Sequence, residues 1–274
     1  SDEEIAATDA PEENIRRIAD APVLLLVLVD LSVVASFDAH LGRVGVAYGS
    51  STGSSDAVAE FGRMLLNKTT DGISATTYIR MMSHTVPVNI GVYFGLQGRV
   101  IPTSSACTSG SQGIGYAYEA IRQGLQDVMI AGGAEELCPT EAAVFDTLYA
   151  TSTRNGDPGS TPRPFDRDRD GLVIGEGACS LVLENRDLAL ARGAHVLAEI
   201  VGFGTNSDGR HVTQPSPSTM KKVMELALDD AGIGPGSISY ISAHGTATCK
   251  GDVAEAAATN HLGAASFVNA GQGL

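Results

Sequence analysis

The sequence predicts a mixed α/β fold, with a sheet that helices cover on both faces. Short apolar runs typical of strands occur at residues 43–49, 99–102 and 127–132. Between them lie segments with apolar residues at helical spacing, at 55–66 and 111–125. Strands that are separated by long helical crossovers indicate a layered α/β architecture.

Composition places the chain among globular proteins and argues against one class of partner. Its 274 residues are 43% hydrophobic and 18% charged, which suits one large domain or two small ones with a sizeable core. The net charge is −14 and no Lys/Arg cluster offers a footprint for phosphates, so we do not expect a nucleic-acid partner. An acidic carrier protein is still compatible with a local basic patch, for which Arg122, Lys221 and Lys222 are candidates if they are not simply solvated.

The remaining segments are assigned in order along the chain. Residues 1–20 are expected to form a polar terminus, and residues 21–37 are compatible with a core helix. The apolar run at 23–29 is too short to span a bilayer and is interpreted as a buried helix or strand. The acidic residues before that run also differ from the basic start of a signal peptide. After a polar loop at 151–170, we expect a strand at 177–184, a helix at 187–192, strands at 196–203 and 238–241, and a helix at 221–231 that is capped by Gly232.

Cys107 carries most of the information about function. It lies in the string TSSACTSG at residues 103–110, after a strand-like run and before a helix-like one, so its thiol is expected at a strand-to-helix turn. N–H groups at the start of a helix favour a thiolate over a thiol and can donate to an oxyanion. A buried cysteine is more often a small hydrophobic residue, but here the small neighbours leave room for an acyl group. We therefore predict that Cys107 is a nucleophile.

His244 is the predicted partner of that thiol. It lies in the string SAHGTAT at residues 242–248, directly after the predicted strand at 238–241, and the following glycine permits close backbone approach. Taken alone, such a histidine is better explained as a packed side chain at a strand end. Together with an activated cysteine, it fits a nucleophile and an imidazole that are distant in sequence and close in space.

These strings together resemble the β-ketoacyl synthases, the condensing enzymes of the thiolase superfamily. Their order matches that of the family from about Arg43 to Glu255, and the combination is far more specific than any one string. The matching motifs are SSAC at 104–107, AGGAEE at 131–136, RPFD to RDG at 163–171, GEGA at 175–178, HGTAT at 244–248, and GD at 251–252 followed by Glu255.

The resemblance implies a thiolase-like αβαβα layered fold made of two similar halves. We expect the half with the nucleophile at residues 21–185, after the polar terminus, and a second half at 186–274 that is incomplete. After Lys250 the chain holds no lysine that could be matched to the active-site lysine of the family. His261, in the string NHLGAA, follows Glu255 sooner than the second histidine does in the family. It is either that second catalytic histidine in a shortened chain or a chance match in an Ala-rich tail.

The resemblance also implies a reaction, the decarboxylative Claisen condensation of an acyl thioester with malonyl carrier protein. In it Cys107 takes up the acyl group, and His244, with His261 if that match is genuine, stabilises the enolate that forms as CO2 leaves. Thr246 and Thr248 resemble residues that contact the pantetheine arm, and turn-forming hydroxyls explain them equally well. The acyl chain belongs to fatty acid or to polyketide or polyene biosynthesis, and the sequence does not choose between them.

Other functions stay open at this point. A thiolase would not be expected to carry the HGTAT motif. A non-catalytic partner subunit that resembles a chain-length factor usually lacks the nucleophile that Cys107 supplies. An inactive fragment of a condensing enzyme is favoured only if the short second half is real.

Partners and surroundings follow from the same resemblance. We expect an acyl carrier protein as partner, pairing into a homodimer or a heterodimer with a related subunit, a cytoplasmic location, and no membrane span. The four cysteines have no spacing of the metal-binding or redox kind, so reduced thiols are expected, and neither a metal nor a cofactor is predicted. Glu176 and Asp252 are expected to be buried structural acids.

Overall fold

The computed structural model describes residues 37–38, 41–209 and 214–262, which form two compact units. The sheet unit holds the described residues up to Glu136 together with Glu176–Glu199. The helical unit holds Leu137–Gly175 and the described residues from Ile200 onward. The predicted polar terminus at 1–20, and all but the last residue of the predicted helix at 21–37, lie outside the described residues. The predicted division into halves at residues 185 and 186 stays a prediction.

A four-stranded mixed sheet forms the centre of the sheet unit. Its strands are β1 (Val44–Gly49), β2 (Val100–Thr103), β3 (Val128–Glu135) and β4 (Gly177–Glu184). Their order is β2-β1-β3-β4, with β1 parallel to both β2 and β3, and β4 antiparallel to β3. Every residue of β1 is buried, as expected for a strand with neighbours on both sides and helices on both faces. All four strands were predicted.

Helices fill the rest of both units. The sheet unit contains α1 (Ser55–Asn67), α2 (Ala75–Arg80), α3 (Thr85–Phe94), α4 (Ser109–Arg122) and α6 (Arg186–Ala191). The helical unit contains α5 (Pro139–Thr147), α7 (Pro217–Ala231) and α8 (Cys249–His261), with short 3₁₀ turns at Pro158–Ser160 and Pro235–Ser237. Gly232 ends α7 in the left-handed conformation (φ 68°), so the predicted cap is confirmed.

The core lies on both faces of the sheet because successive strand residues point to opposite sides. On one face Val46, Tyr48 and Ile130 pack against apolar side chains of α3. On the other, Ala47 and Met129 pack against α4. Burial raises the pKa of the Tyr48 phenol, which donates to the Cys179 carbonyl oxygen at 3.1 Å. The sheet is therefore covered on both faces, as the sequence predicted.

An ion pair joins the entrances of the two central strands. Arg43 precedes β1 and Asp127 precedes β3, and the Arg43 Nε–H donates to Asp127 Oδ2 at 2.9 Å. This guanidinium hydrogen bond holds the pKa of the Asp127 carboxyl below its ordinary value. The pair fixes the register in which β1 and β3 begin.

The first turn of α4 touches the carboxyl ends of β1 and β3 through backbone atoms alone. A Cβ atom placed on Gly49 would lie 2.3 Å from the carbonyl carbon of Ser109. A Cβ atom on Gly133 would lie 3.0 Å from the Cα of Gly110. Glycine at these positions lets α4 begin directly against the strand ends.

Two predicted strands are absent from the part of the chain that the structure describes. Neither 196–203 nor 238–241 pairs with a neighbour there, and a strand is stable only when a neighbour completes its backbone hydrogen bonds. Several of their apolar side chains are exposed, including Leu197 at 73% and Tyr240 at 57%. The prediction of these two strands was wrong, because neither segment has a neighbouring strand within the described residues. His244 accordingly does not lie at a strand end.

We expect Gly49→Ala to destabilise the sheet unit. The added methyl would overlap the backbone of Ser109, which has no rotamer to relieve it, and overpacking of this kind costs about 1–3 kcal/mol. Gly62→Ala in α1 is the matched control, because nothing lies within 4 Å of its Cβ position and alanine favours a helix by about 0.5–1 kcal/mol. Urea unfolding of both variants measures the difference. A Gly49→Ala variant as stable as the unmodified protein would contradict the close contact.

Candidate functional site

Cys107 lies in the turn between β2 and α4, which is formed by residues 104–108 and is called the Cys107 turn below. Thr108 is the N-cap of α4, so the cysteine comes one residue before the cap. The side chain of Cys107 is exposed. The predicted strand, turn and helix around this thiol are all confirmed.

The backbone of the Cys107 turn is strained at Ala106. This residue has φ 53°, in the left-handed region that glycine adopts freely and that costs other residues about 1–2 kcal/mol. Its conformation sets the direction in which Cys107 leaves the backbone. The strain persists because the surrounding groups hold it.

Ser109 supplies the hydrogen bonds around the strained residue. Its Oγ accepts from the backbone N–H of Ser105 at 2.8 Å and donates to the carbonyl oxygen of Ala106 at 2.7 Å. Its own backbone N–H donates to the same carbonyl at 3.0 Å. Ser109 is buried, with 4% of its surface exposed, so these bonds are shielded from water.

Neighbouring hydroxyls extend this network to the strand and the helix. Thr103 Oγ1 donates to the Ser109 carbonyl oxygen at 2.7 Å, which ties the end of β2 to α4. Ser105 Oγ donates to Gln112 Oε1 at 2.5 Å, and Thr108 Oγ1 donates to the Ser105 carbonyl oxygen at 2.9 Å. The result is a rigid turn that presents a thiol at the N-terminus of a 14-residue helix, where a negative charge is stabilised.

The loop that follows β1 is held by two adjacent carboxylates at the end of β3. Ser51 N–H donates to Glu135 Oε2 at 2.6 Å, and Ser55 N–H, at the start of α1, donates to Glu136 Oε1 at 3.0 Å. The Ser50 N–H continues the β1–β2 pairing by donating to the Thr103 carbonyl oxygen at 3.1 Å. The loop beside the Cys107 turn is therefore fixed at both ends.

His244 lies in the helical unit, in the His244 loop that we define as residues 244–248. The loop enters α8, and His244 is exposed. Glu255, in the second turn of α8, accepts from the backbone N–H of His244 at 2.7 Å and from that of Gly245 at 2.9 Å. One carboxylate thus fixes the backbone from which the imidazole projects.

Asp252 anchors the other end of the His244 loop. Its carboxylate accepts from the Ala247 N–H at 3.0 Å and from the Phe165 N–H at 2.7 Å. It also lies 3.3 Å from Arg169 Nε, and its side chain is only 1% exposed. Ala247 has a left-handed backbone conformation (φ 59°), so Asp252 stabilises a strained alanine here as Ser109 does at Ala106. The expected structural role of Asp252 is confirmed, whereas Glu176, also expected to be buried, is exposed in the loop that leads into β4.

Arg169 joins the long polar loop to the same place. Besides Asp252, its guanidinium donates to the carbonyl oxygens of Thr248 at 3.3 Å and Cys249 at 3.2 Å. The motif at residues 163–171 therefore acts as a clamp on the His244 loop. Apart from the charges themselves, nothing in the sequence indicated this pairing, although the spacing of Asp252 and Glu255 places both carboxylates on one face of a helix.

The two predicted substrate-binding threonines bond to the loop itself. Thr248 Oγ1 caps α8 by accepting from the Gly251 N–H at 3.2 Å, and it lies 2.8 Å from Thr246 Oγ1. These contacts support the interpretation of both as turn-forming hydroxyls. Their contact with a substrate stays a prediction.

The structure brings some predicted site residues together and leaves others in separate units. His244, Thr246 and Thr248 share one loop, and His261 is the last residue of the helix that follows, though the described part of the chain does not include its side chain. Cys107 belongs to the sheet unit. The catalytic assignments of Cys107, His244 and His261 stay predictions.

The described residues contain no group of three or more His, Cys, Asp or Glu side chains that could hold a metal ion. Within the same ranges, no helix has the length and apolar character needed to cross a bilayer.

Comparison with known proteins identifies the relatives of the chain. Residues 34–189 match the family model for the beta-ketoacyl synthase N-terminal domain, and residues 197–267 match that for the C-terminal domain. The 3-oxoacyl-acyl-carrier-protein synthase 2 of Vibrio cholerae serotype O1 is 41% identical over 219 residues, which are 79% of this chain and 53% of that protein. The chain thus spans about half the length of the curated relatives that it matches.

Solved structures agree with these matches. A beta-ketoacyl synthase from Burkholderia phymatum STM815 is 57% identical with a TM-score of 0.81, over 82% of this chain and 55% of that one. A ketosynthase in complex with a type II PKS acyl-carrier protein is 30% identical with a TM-score of 0.77, over 86% of this chain and 60% of that one. These likenesses confirm the predicted thiolase-like α/β fold, and their coverage of 55% and 60% of the solved chains is consistent with an incomplete second half.

Asp252→Asn is expected to destabilise the helical unit by about 3–5 kcal/mol, because it removes one partner of a buried ion pair and sets an amide NH2 against N–H donors. Asp229→Asn is the matched control on the exposed surface of α7, where a change within about 0.5 kcal/mol is expected. Urea unfolding gives the stabilities, and amide hydrogen exchange at Phe165 and Ala247 reports the loop. Unchanged exchange at both amides in Asp252→Asn would show that the carboxylate does not hold the loop.

Proposed function

Because the chain belongs to the β-ketoacyl synthase family, we propose that it catalyses the decarboxylative Claisen condensation of an acyl thioester with malonyl carrier protein. The observation that carries the proposal is the Cys107 turn, which presents an exposed thiol at the N-terminus of α4 on a backbone fixed by buried hydrogen bonds. Such a turn suits a nucleophile that must form and release a covalent intermediate.

The first step is acyl transfer to Cys107. The thiolate sulfur attacks the carbonyl carbon of the acyl thioester, a new carbon–sulfur bond forms, and the carrier thiolate leaves as the old one breaks. The N-terminus of α4 favours the thiolate form of Cys107 before attack, and the backbone N–H of Cys107 would donate to the carbonyl oxygen as it becomes negative.

The second step is decarboxylation of the malonyl thioester. The bond to the carboxylate breaks, CO2 leaves, and its electron pair forms an enolate whose charge lies on the thioester oxygen. His244, together with His261, would donate hydrogen bonds to that oxygen. The enolate carbon then attacks the acyl carbonyl on Cys107, and the Cys107 thiolate leaves as the β-ketoacyl thioester forms.

The clamp around the His244 loop supports this role of His244. A hydrogen-bond donor lowers the barrier most when it is already in place, because no energy is then spent on reorientation during the reaction. Glu255 holds the backbone N–H groups of His244 and Gly245. Asp252 holds that of Ala247 and joins the loop to Phe165 and Arg169. We assign Thr246 and Thr248 contacts with the pantetheine arm.

The same proposal names partners and location. An acyl carrier protein would deliver both substrates, and a related ketosynthase was solved in complex with an acyl-carrier protein. We further propose a dimer, with an identical or a related subunit, in the cytoplasm, and two similar halves that divide near residue 185. Light scattering that found a stable, active monomer at micromolar concentration would reject the dimer.

Relatives from fatty acid and polyketide synthesis both match, so the proposal names the reaction and leaves the chain class of the substrate open.

Incubation with an acyl thioester should add one acyl group to the protein, at Cys107. Cys107→Ala should lose this adduct and the condensation, because no other group forms the intermediate. Cys179→Ala is the matched control, since Cys179 is also exposed but lies on β4. Intact mass and peptide mapping locate the adduct. Acylation of Cys138, Cys179 or Cys249 with Cys107 unmodified would overturn the assignment.

His244→Ala should separate the two half-reactions. Acylation of Cys107 should persist, whereas release of CO2 from malonyl thioester should slow by about 100- to 1,000-fold, the usual cost of a lost oxyanion donor. Radiolabelled malonyl thioester measures CO2 release, and intact mass measures acylation in the same samples. If both half-reactions fall equally, His244 acts on the thiol or is structural.

A further inference from the structure

We infer that Ser109 is a positioning residue whose hydroxyl holds the left-handed turn at Ala106 and thereby fixes the direction of the Cys107 thiol. The inference rests on the proposed role of Cys107 and adds a residue to which the sequence assigned no function. Ser109 acts through the backbone of the turn and has no assigned contact with the substrate.

The hydroxyl of Ser109 spans the two residues before the cysteine. It accepts from Ser105 N–H at 2.8 Å and donates to the Ala106 carbonyl oxygen at 2.7 Å, so it closes a ring around the backbone dihedrals of Ala106. The bond from Ser105 N–H is slightly shorter than the typical N–H···O length of about 2.9–3.0 Å. The bond to the Ala106 carbonyl oxygen has the usual O–H···O length of about 2.7–2.8 Å. One buried hydroxyl therefore uses its donor and its acceptor on the same strained peptide segment.

The anchor of that hydroxyl is itself rigid. The Ser109 carbonyl oxygen accepts from Thr103 Oγ1 at 2.7 Å, and the backbone of Ser109 lies in direct contact with Gly49 at the end of β1. Ser111, in the same turn of α4, is exposed, and its Oγ donates to the carbonyl oxygen of Thr108 at 3.0 Å. The hydroxyl of Ser109, by contrast, is buried and bonds on both sides of the Ala106 backbone.

Loss of this hydroxyl should change the position of the thiol. Without it, Ala106 can relax from φ 53° towards the right-handed region that alanine prefers, which turns the Cα–Cβ bond of Cys107 away from its present direction. Attack on a thioester carbonyl depends steeply on alignment, and a displacement of about 1 Å can cost about 100-fold in rate. Acylation should therefore slow while binding of the acyl thioester is unaffected.

The test is the pre-steady-state acylation of Cys107, followed by intact mass at several concentrations of an acyl thioester. Ser109→Ala should lower the maximal acylation rate at least tenfold without raising the half-saturating concentration. Ser111→Ala is the matched control, because it removes an exposed hydroxyl from the same turn of α4, and it should acylate within twofold of the unmodified protein.

Glycine at position 106 provides the decisive variant. Glycine adopts φ 53° without steric cost, so Ala106→Gly should restore most of the rate to Ser109→Ala while having little effect alone. A hydroxyl that merely stabilised the fold would not be compensated by a glycine three residues earlier. A Ser109→Ala variant that acylates at the normal rate, or one whose loss Ala106→Gly leaves unchanged, would overturn the inference.

Alkylation by iodoacetamide keeps the inference testable apart from the proposed function. If the unmodified protein takes up no acyl group at Cys107, the proposed function fails, and the rate of Cys107 alkylation in the same four variants still reports the presentation of the thiol. The same pattern of loss in Ser109→Ala and recovery in the double variant supports the inference there. Equal alkylation rates in all variants would reject it.

Discussion

The contact between the first turn of α4 and the carboxyl ends of β1 and β3 is the constraint on which the Cys107 turn depends. A methyl group on Gly49 would lie 2.3 Å from the carbonyl carbon of Ser109, and one on Gly133 would lie 3.0 Å from the Cα of Gly110, so glycine at both strand ends lets main chain contact main chain. This contact places Ser109 where its hydroxyl reaches the strained peptide of Ala106. The geometry of the thiol therefore originates in the packing of main chain against main chain.

The two functional loops are built on one principle although they belong to different units. Each contains an alanine in the left-handed conformation, Ala106 in one and Ala247 in the other. In each, a buried acceptor binds the adjacent backbone N–H groups, Ser109 in the first and Asp252 in the second. Strain of this kind persists only where neighbouring groups determine the backbone, and it is concentrated at functional sites.

Much of the fold could be predicted from the sequence because the strands of the sheet are apolar and short. The apolar runs that form β1, β2 and β3, and the small residues around Cys107, each indicated the structure found there. The prediction of strands at 196–203 and 238–241 was wrong because an apolar pattern indicates that side chains tend to be buried. Strand pairing depends in addition on a neighbouring strand from elsewhere in the chain. Ser109 and Arg169 went unnoticed since their partners become visible only when distant or strained segments meet.

Asp252 binds a backbone amide far from it in the sequence, so their contact can form only late in synthesis. The Phe165 amide that it binds is separated from it by 87 positions in the chain. At ribosomal speeds of about 5–20 residues per second, Asp252 is synthesised roughly 4–17 seconds after Phe165, the residue of the 163–171 motif that it binds. The segments of the Cys107 turn, which lie between β1 and β3, emerge well before that. During synthesis the polar loop at 151–170 is therefore exposed to proteases and chaperones until α8 has emerged.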